Sequence, residues 1–217
     1  SEFAYETQDW KTVYMDFVPN QEGRAVVCCA LGFPGGTYNG GTASGTVWYD
    51  NVVVEELPAD AMYTRESEHI IVVFDKDKNP MDDAQMDEWL SKLDRTYEAY
   101  QDLIGNVPYQ GRKIMIINSP GIEPGYWALA GNPILWNSHV KVTEVLERAR
   151  DLDDWGFGIL HEIGHDFSAS NMLGEDWGRW NWNDEIFANF RMSYAVEVCN
   201  GGVSQRNTIY RGADIIN

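Results

Sequence analysis

His161-Glu162-Ile163-Gly164-His165 sets two imidazoles four residues apart, with a carboxylate next to the first. On a helix, residues four apart share a face, so both rings can address one metal ion. Glu162 sits one step round the helix, placed to take a proton from a water at that ion. A third ligand is available in Asn183-Asp184-Glu185-Ile186-Phe187-Ala188-Asn189, where Glu185 follows on a separate helical segment. Two His and one Glu, with the fourth position open, form the set of a catalytic zinc, one ion per chain, rather than a closed structural site. Asn189 lies four residues after Glu185 and shares its helix face. It can accept a hydrogen bond from the second ring nitrogen of His161 or His165 and so fix the tautomer. His69 is more readily a histidine satisfied within a sheet than a fourth ligand. The pentapeptide alone could arise by chance on an ordinary helix; Glu185 at this spacing makes that reading the weaker one.

The wording around these residues extends the pattern. Leu160-His161-Glu162-Ile163-Gly164-His165-Asp166-Phe167, with Trp182 shortly before a Glu185-Ile186-Phe187-Ala188-Asn189 helix, resembles the gluzincin metallopeptidases. Within them it is similar to the M60-like branch related to enhancins and mucin peptidases. The resemblance is specific at the motif and extends coarsely over residues 66–200. It implies a zinc endopeptidase that hydrolyses peptide bonds of extracellular proteins, mucin-type glycoproteins among them, by Glu162-assisted attack of a zinc-bound water. It also implies a bacterial protein that is secreted or held at the cell surface. Gluzincins often carry Asp at the offset of Asn189; a neutral acceptor there leaves the imidazole less electron-rich. They also continue past the glutamate helix with a helical subdomain, so the catalytic domain expected at 67–217 reads as shortened at its C-terminus.

The elements that must position these residues are legible in outline. Residues 69–74 form a β-branched run, hence a buried strand. Asn79-Pro80 is expected to open a helix in which Met86, Trp89, Leu90, Leu93, Tyr97 and Tyr100 recur at three- and four-residue steps, ending near Gly105. Residues 112–117 form the next strand, so the unit is a right-handed crossover within one sheet. Residues 128–136 read as one strand interrupted by Gly131 and Pro133 and therefore at a sheet edge. In gluzincins an edge strand borders the cleft, so the resemblance puts Ala128, Leu129 and Ala130 along it, where an extended peptide could pair. Residues 142–150 are helical. Asp153 or Asp154 is expected to cap the motif helix, starting near Trp155. Gly156, Gly158 and Gly164 are poor helix formers, so that helix must be held by packing, with small residues admitting a close neighbour. Residues 168–181 are expected as loop, followed by a helix capped by Asn181 or Asn183 and running to about Cys199. Trp177, Trp180 and Trp182 could form aromatic subsites of the cleft or pack the loop onto the core. Tyr194 falls on the far side of its helix and suits core packing; Tyr210 and His139 are oxyanion candidates without geometry.

The fold class expected is α+β, a zincin-like domain with a mixed sheet, edge strand and active-site helix, preceded over 1–57 by part of a β-sandwich. Ser44-Gly45-Thr46-Val47-Trp48-Tyr49-Asp50-Asn51-Val52-Val53-Val54 resembles the last strands of jelly-roll carbohydrate-binding modules. Trp10, Tyr38, Trp48 and Tyr49 could stack on sugar rings or pack between sheets, and Asp50 could hold calcium or lie in a solvated turn. Residues 58–66 read as the linker.

The 217 residues suffice for one domain or two small ones, and 44% hydrophobic content supports a core. No apolar run is long enough to span a bilayer. Ser1-Glu2-Phe3 looks like a cloning remnant, which fits removal of a leader or further domains. A net charge of −18 argues against nucleic acid as partner. Cys28, Cys29 and Cys199 form no metal-ligand spacing, and their odd count argues against a disulfide framework. The partner expected is a protein or glycoprotein substrate, with glycans a further option. A rival reading is a glycan-binding adhesin module with an inactive or structural zinc domain.

Overall fold

The two most apolar runs become the centre of a sheet. The computed structural model describes residues 9, 10, 12, 46–56, 58, 60–119, 127–137, 141–168, 184–206 and 208–215. In it β1 is Met62–Glu66, β2 is Ile70–Asp75, β3 is Ile114–Ser119, β4 is Ala128–Leu129 and β5 is Ile134–Asn137. They form one sheet in the order β1-β2-β3-β5-β4. β2, β3 and β5 run parallel, while β1 and β4 flank them antiparallel. The fold is thus α+β on a mixed sheet. Strand residues alternate in facing: Ile70, Val72, Phe74, Ile114, Ile116, Ile134 and Trp136 join the main core, and Val73, Met115 and Ile117 form a smaller cluster. Burial on both faces explains why these strands read as unbroken apolar runs.

Helix α1, Asp83–Ile104, makes the crossover from β2 to β3. Its six expected stripe residues are all buried. Its start differs from expectation. Asp82, not Asn79, is the cap: Asp82 accepts from the Gln85 N–H while the Gln85 side chain accepts from the Asp82 N–H. The Asn79 side chain instead closes a small turn on Met81. α2 is Lys141–Leu152, α3 is Phe157–Asp166 and α4 is Asp184–Val198. A hairpin of β6, Gly202–Gln205, and β7, Thr208–Arg211, follows.

Three further expectations are corrected. Residues 58–66 are not all linker, because residues 62–66 pair with β2 as β1. Residues 128–136 are two strands, not one: Gly131 and Pro133 turn the chain back on itself, and β4 is the edge. No strand runs through residues 46–56; Trp48 and residues 52–54 lie exposed there. Apart from residues 9, 10 and 12, the rest of the expected sandwich, including Tyr38, Cys28 and Cys29, lies outside the described residues. Among the described residues no helix is long and apolar enough to cross a membrane.

Candidate metal centre

Helix α3 carries the motif, yet its own sequence supports it poorly. No side chain caps it: Gly156 stands at the N-cap with φ 90°. Asp154, expected as the cap, is two residues too early. It accepts the Gly156 and Ser204 N–H groups and pairs with Arg148 instead. What holds α3 is tertiary. From α1, the Tyr100 hydroxyl donates to the Leu160 carbonyl at 2.8 Å, and the Trp89 ring N–H donates to the Trp155 carbonyl at 3.1 Å. On its other side α3 meets α4 at Gly164, where an added Cβ would lie 3.0 Å from the Ala188 carbonyl oxygen. The small residues expected to admit a neighbour do so here.

That close crossing brings the expected ligands together. The Nε2 atoms of His161 and His165 lie 2.9 Å apart. Glu185 on α4 approaches with Oε2 3.2 Å from the first and Oε1 3.6 Å from the second. The Nδ1 of His161 meets Asn189 Oδ1 at 3.1 Å, which assigns the Asn189 contact to the first histidine. The Nδ1 of His165 meets Asp184 Oδ2 at 2.7 Å. Both partners are acceptors, so both Nδ1 atoms donate and, in neutral rings, both Nε2 atoms carry bare lone pairs. Two lone pairs facing each other at 2.9 Å, with a carboxylate beside them, repel unless a cation or proton lies among them. Two imidazole nitrogens and a carboxylate oxygen suit a divalent metal such as zinc.

Asp184 is the residue that sequence reasoning missed. Next to Glu185 in the first turn of α4, it reads as an ordinary acid at a helix start. In the structure its second oxygen accepts the Ser168 hydroxyl. The buried Arg191 donates to the Gly164 carbonyl at 2.9 Å and to Ser168 at 3.3 Å. Charge, hydroxyl and guanidinium thus tie the end of α3 to α4 behind His165. Burial alone would depress the His165 imidazole, but the Asp184 carboxylate outweighs it and raises it. Burial and the neighbouring His165 lower His161.

Glu162, 9% exposed, faces the same group. Burial pushes its carboxyl up to about 7, against the pull of His165 and of the nearby Ala130 backbone. Ala130, expected along the cleft, therefore lies near the candidate base, with β4 immediately before it. Trp127, half-buried, lies over Gly158, one turn before His161. Trp177, Trp180, Trp182 and His139 lie outside the described residues. His69 stacks on Tyr97 at 4.2 Å and faces Glu98, apart from the His161–His165–Glu185 set. Tyr194 packs against the core, as its helix position suggests. Cys199 is a free thiol, half-buried.

No family model matches this chain, and no curated protein matches it. Two solved structures, both described as a functionally unknown conserved protein from Bacillus anthracis str. Ames and one of them a mutant, are similar to it at a TM-score of 0.49. Identity is 15% for the mutant and 16% for the other, over 67% of this chain and 30% of each of theirs. The chain thus spans under a third of the length of those proteins. A likeness at this level carries neither fold nor function across.

Proposed function

We propose that this chain carries the catalytic region of a zinc-dependent endopeptidase of the gluzincin type, M60-like. On this reading it hydrolyses peptide bonds of extracellular proteins, mucin-type glycoproteins among them, from a secreted or cell-surface protein. The observation that supports this best is the meeting of two bare imidazole nitrogens and one carboxylate, with Glu162 buried alongside. His161, His165 and Glu185 would hold the ion. Bound zinc supplies a Lewis acid that polarises a carbonyl and acidifies a water. Glu162 takes that proton and delivers it to the leaving amine; a carboxyl raised toward neutral pH is suited to both transfers. Asn189 and Asp184 keep both rings in the tautomer that presents Nε2. The β4 edge beside Ala130 offers backbone groups to an extended peptide.

One observation favours a second reading, in which the chain binds glycans and its metal site is inactive or structural. Trp10 and Trp48 are each 72% exposed, as sugar-stacking aromatics are and packing aromatics are not.

Metal stoichiometry by mass spectrometry, on wild type and His161→Ala, separates the outcomes. About one zinc per chain, lost in the variant, is expected. Glycoprotein cleavage should then fall by about a thousandfold in Glu162→Gln while zinc stays bound. Absence of zinc after reconstitution at neutral pH would overturn the peptidase reading. Saturable sugar binding without Glu162-dependent cleavage would favour the second.

A further inference from the structure

Asp166 ends the motif helix one residue after His165, and its side chain is fully buried. Its Oδ1 accepts two hydrogen bonds, from the Tyr109 hydroxyl at 2.7 Å and from the Gly131 N–H at 2.9 Å. Among the described residues its Oδ2 finds no donor. An apolar side chain would fill this place at lower cost, because a buried carboxylate without a cationic partner is expensive. The position therefore calls for an explanation beyond packing.

The Gly131 contact supplies one. Glu162 and Asp166 are four apart on α3 and lie on one face. Asp166 accepts from Gly131 in the turn between β4 and β5, and Ala130, the residue before it, lies near Glu162. Gly131 stands at φ 138°, a conformation L side chains rarely adopt. The turn is pinned from the other side too. The Asn132 side chain accepts the Met115 N–H and donates to the Lys113 carbonyl, both at 3.0 Å. Of the two α3 carboxylates, only Asp166 is free of a role at the metal.

We propose that Asp166 is a positioning residue: it anchors Gly131 to α3, and so keeps the β4 edge, with Ala130 at its end, in register beside the candidate base. Its bearing on catalysis rests on the peptidase reading; its hold on the turn does not. The strand end held this way is the one a peptide would meet.

The test is amide exchange of residues 128–131 in the full chain, for wild type, Asp166→Ala and Asp166→Asn. Asp166→Ala should speed exchange there by about ten- to a hundredfold, the loss expected when a buried amide is left without its acceptor. Amides of α1 should not move. Asp166→Asn keeps a carbonyl acceptor and should restore most of the protection; if the alanine variant does not fold, Asp166→Leu, of similar volume and without an acceptor, carries the test with the same expected loss. Zinc affinity, read by chelator competition, should stay within about threefold, because Asp184 and not Asp166 holds the His165 ring. Unchanged protection at 128–131 in the variants without an acceptor would overturn the proposal. So would equal loss across α1 in both variants, which would mark Asp166 as a residue of the fold alone. If wild type cleaves nothing but the local exchange pattern appears, the peptidase reading fails and the anchoring role stands.

Discussion

Helices α1 and α3 pack in the same core and are built in opposite ways. α1 runs 22 residues, opens with a reciprocal capping box, and buries one apolar stripe. α3 runs 10 residues, has no side-chain cap, and buries Glu162 and Asp166 along with its apolar side. α1 would be recognised as a helix in almost any context. α3 is a helix because α1 bonds its backbone and α4 lies against its glycine. The difference teaches where this chain spends stability: the element that would bear the proposed chemistry is the one that others must hold.

Four substitutions sharpen or break that contrast, and the largest effect falls behind the proposed metal ligands. Asp184→Ala removes the acceptor for His165 and frees Ser168, so zinc affinity should drop by about ten- to a hundredfold in a chelator competition. Asn189→Ala, which removes a neutral acceptor from His161, should cost less. Equal losses would mean that the charge of Asp184 is immaterial.

Gly164→Ala comes next. Alanine is the better helix former by about 1 kcal/mol, so an isolated α3 would gain. In the protein its Cβ would meet the Ala188 backbone, and α4 would have to shift. A net loss of about 1–3 kcal/mol is expected by denaturant unfolding, with weakened zinc binding because Glu185 rides on α4. A stabilised variant would show that α3 is governed by its local propensity after all.

Asp82→Ala is the smallest and the control. It removes the α1 cap and should cost about 1 kcal/mol, leaving zinc affinity untouched. If zinc affinity fell as well, α1 would be shaping the site through more than the backbone contacts at Trp155 and Leu160.

The outline of the fold was legible wherever local patterns speak for themselves. The β-branched runs at β2 and β3 and the stripe from Met86 to Tyr100 are such patterns. So was the grouping of the candidate ligands: His161 and His165 share a helix face by spacing alone, and Glu185 and Asn189 share another. The β4–β5 turn was misread as an interruption within one strand, because a glycine and a proline in an apolar run mark both an interrupted edge and a tight reversal. The capping position of α1 was misplaced by three residues, since Asn79-Pro80 and Asp82 offer rival signals and only backbone geometry chooses between them.

The sequence by itself therefore determined which groups could do chemistry and which helices would carry them, since periodicity and residue type are local properties of the chain. Only the tertiary structure decided what those groups touch. Asp184 reaches His165 and Asp166 reaches Gly131 across segments far apart in sequence. A carboxylate's partner depends on where a second segment passes in space, and one residue's type carries no record of that.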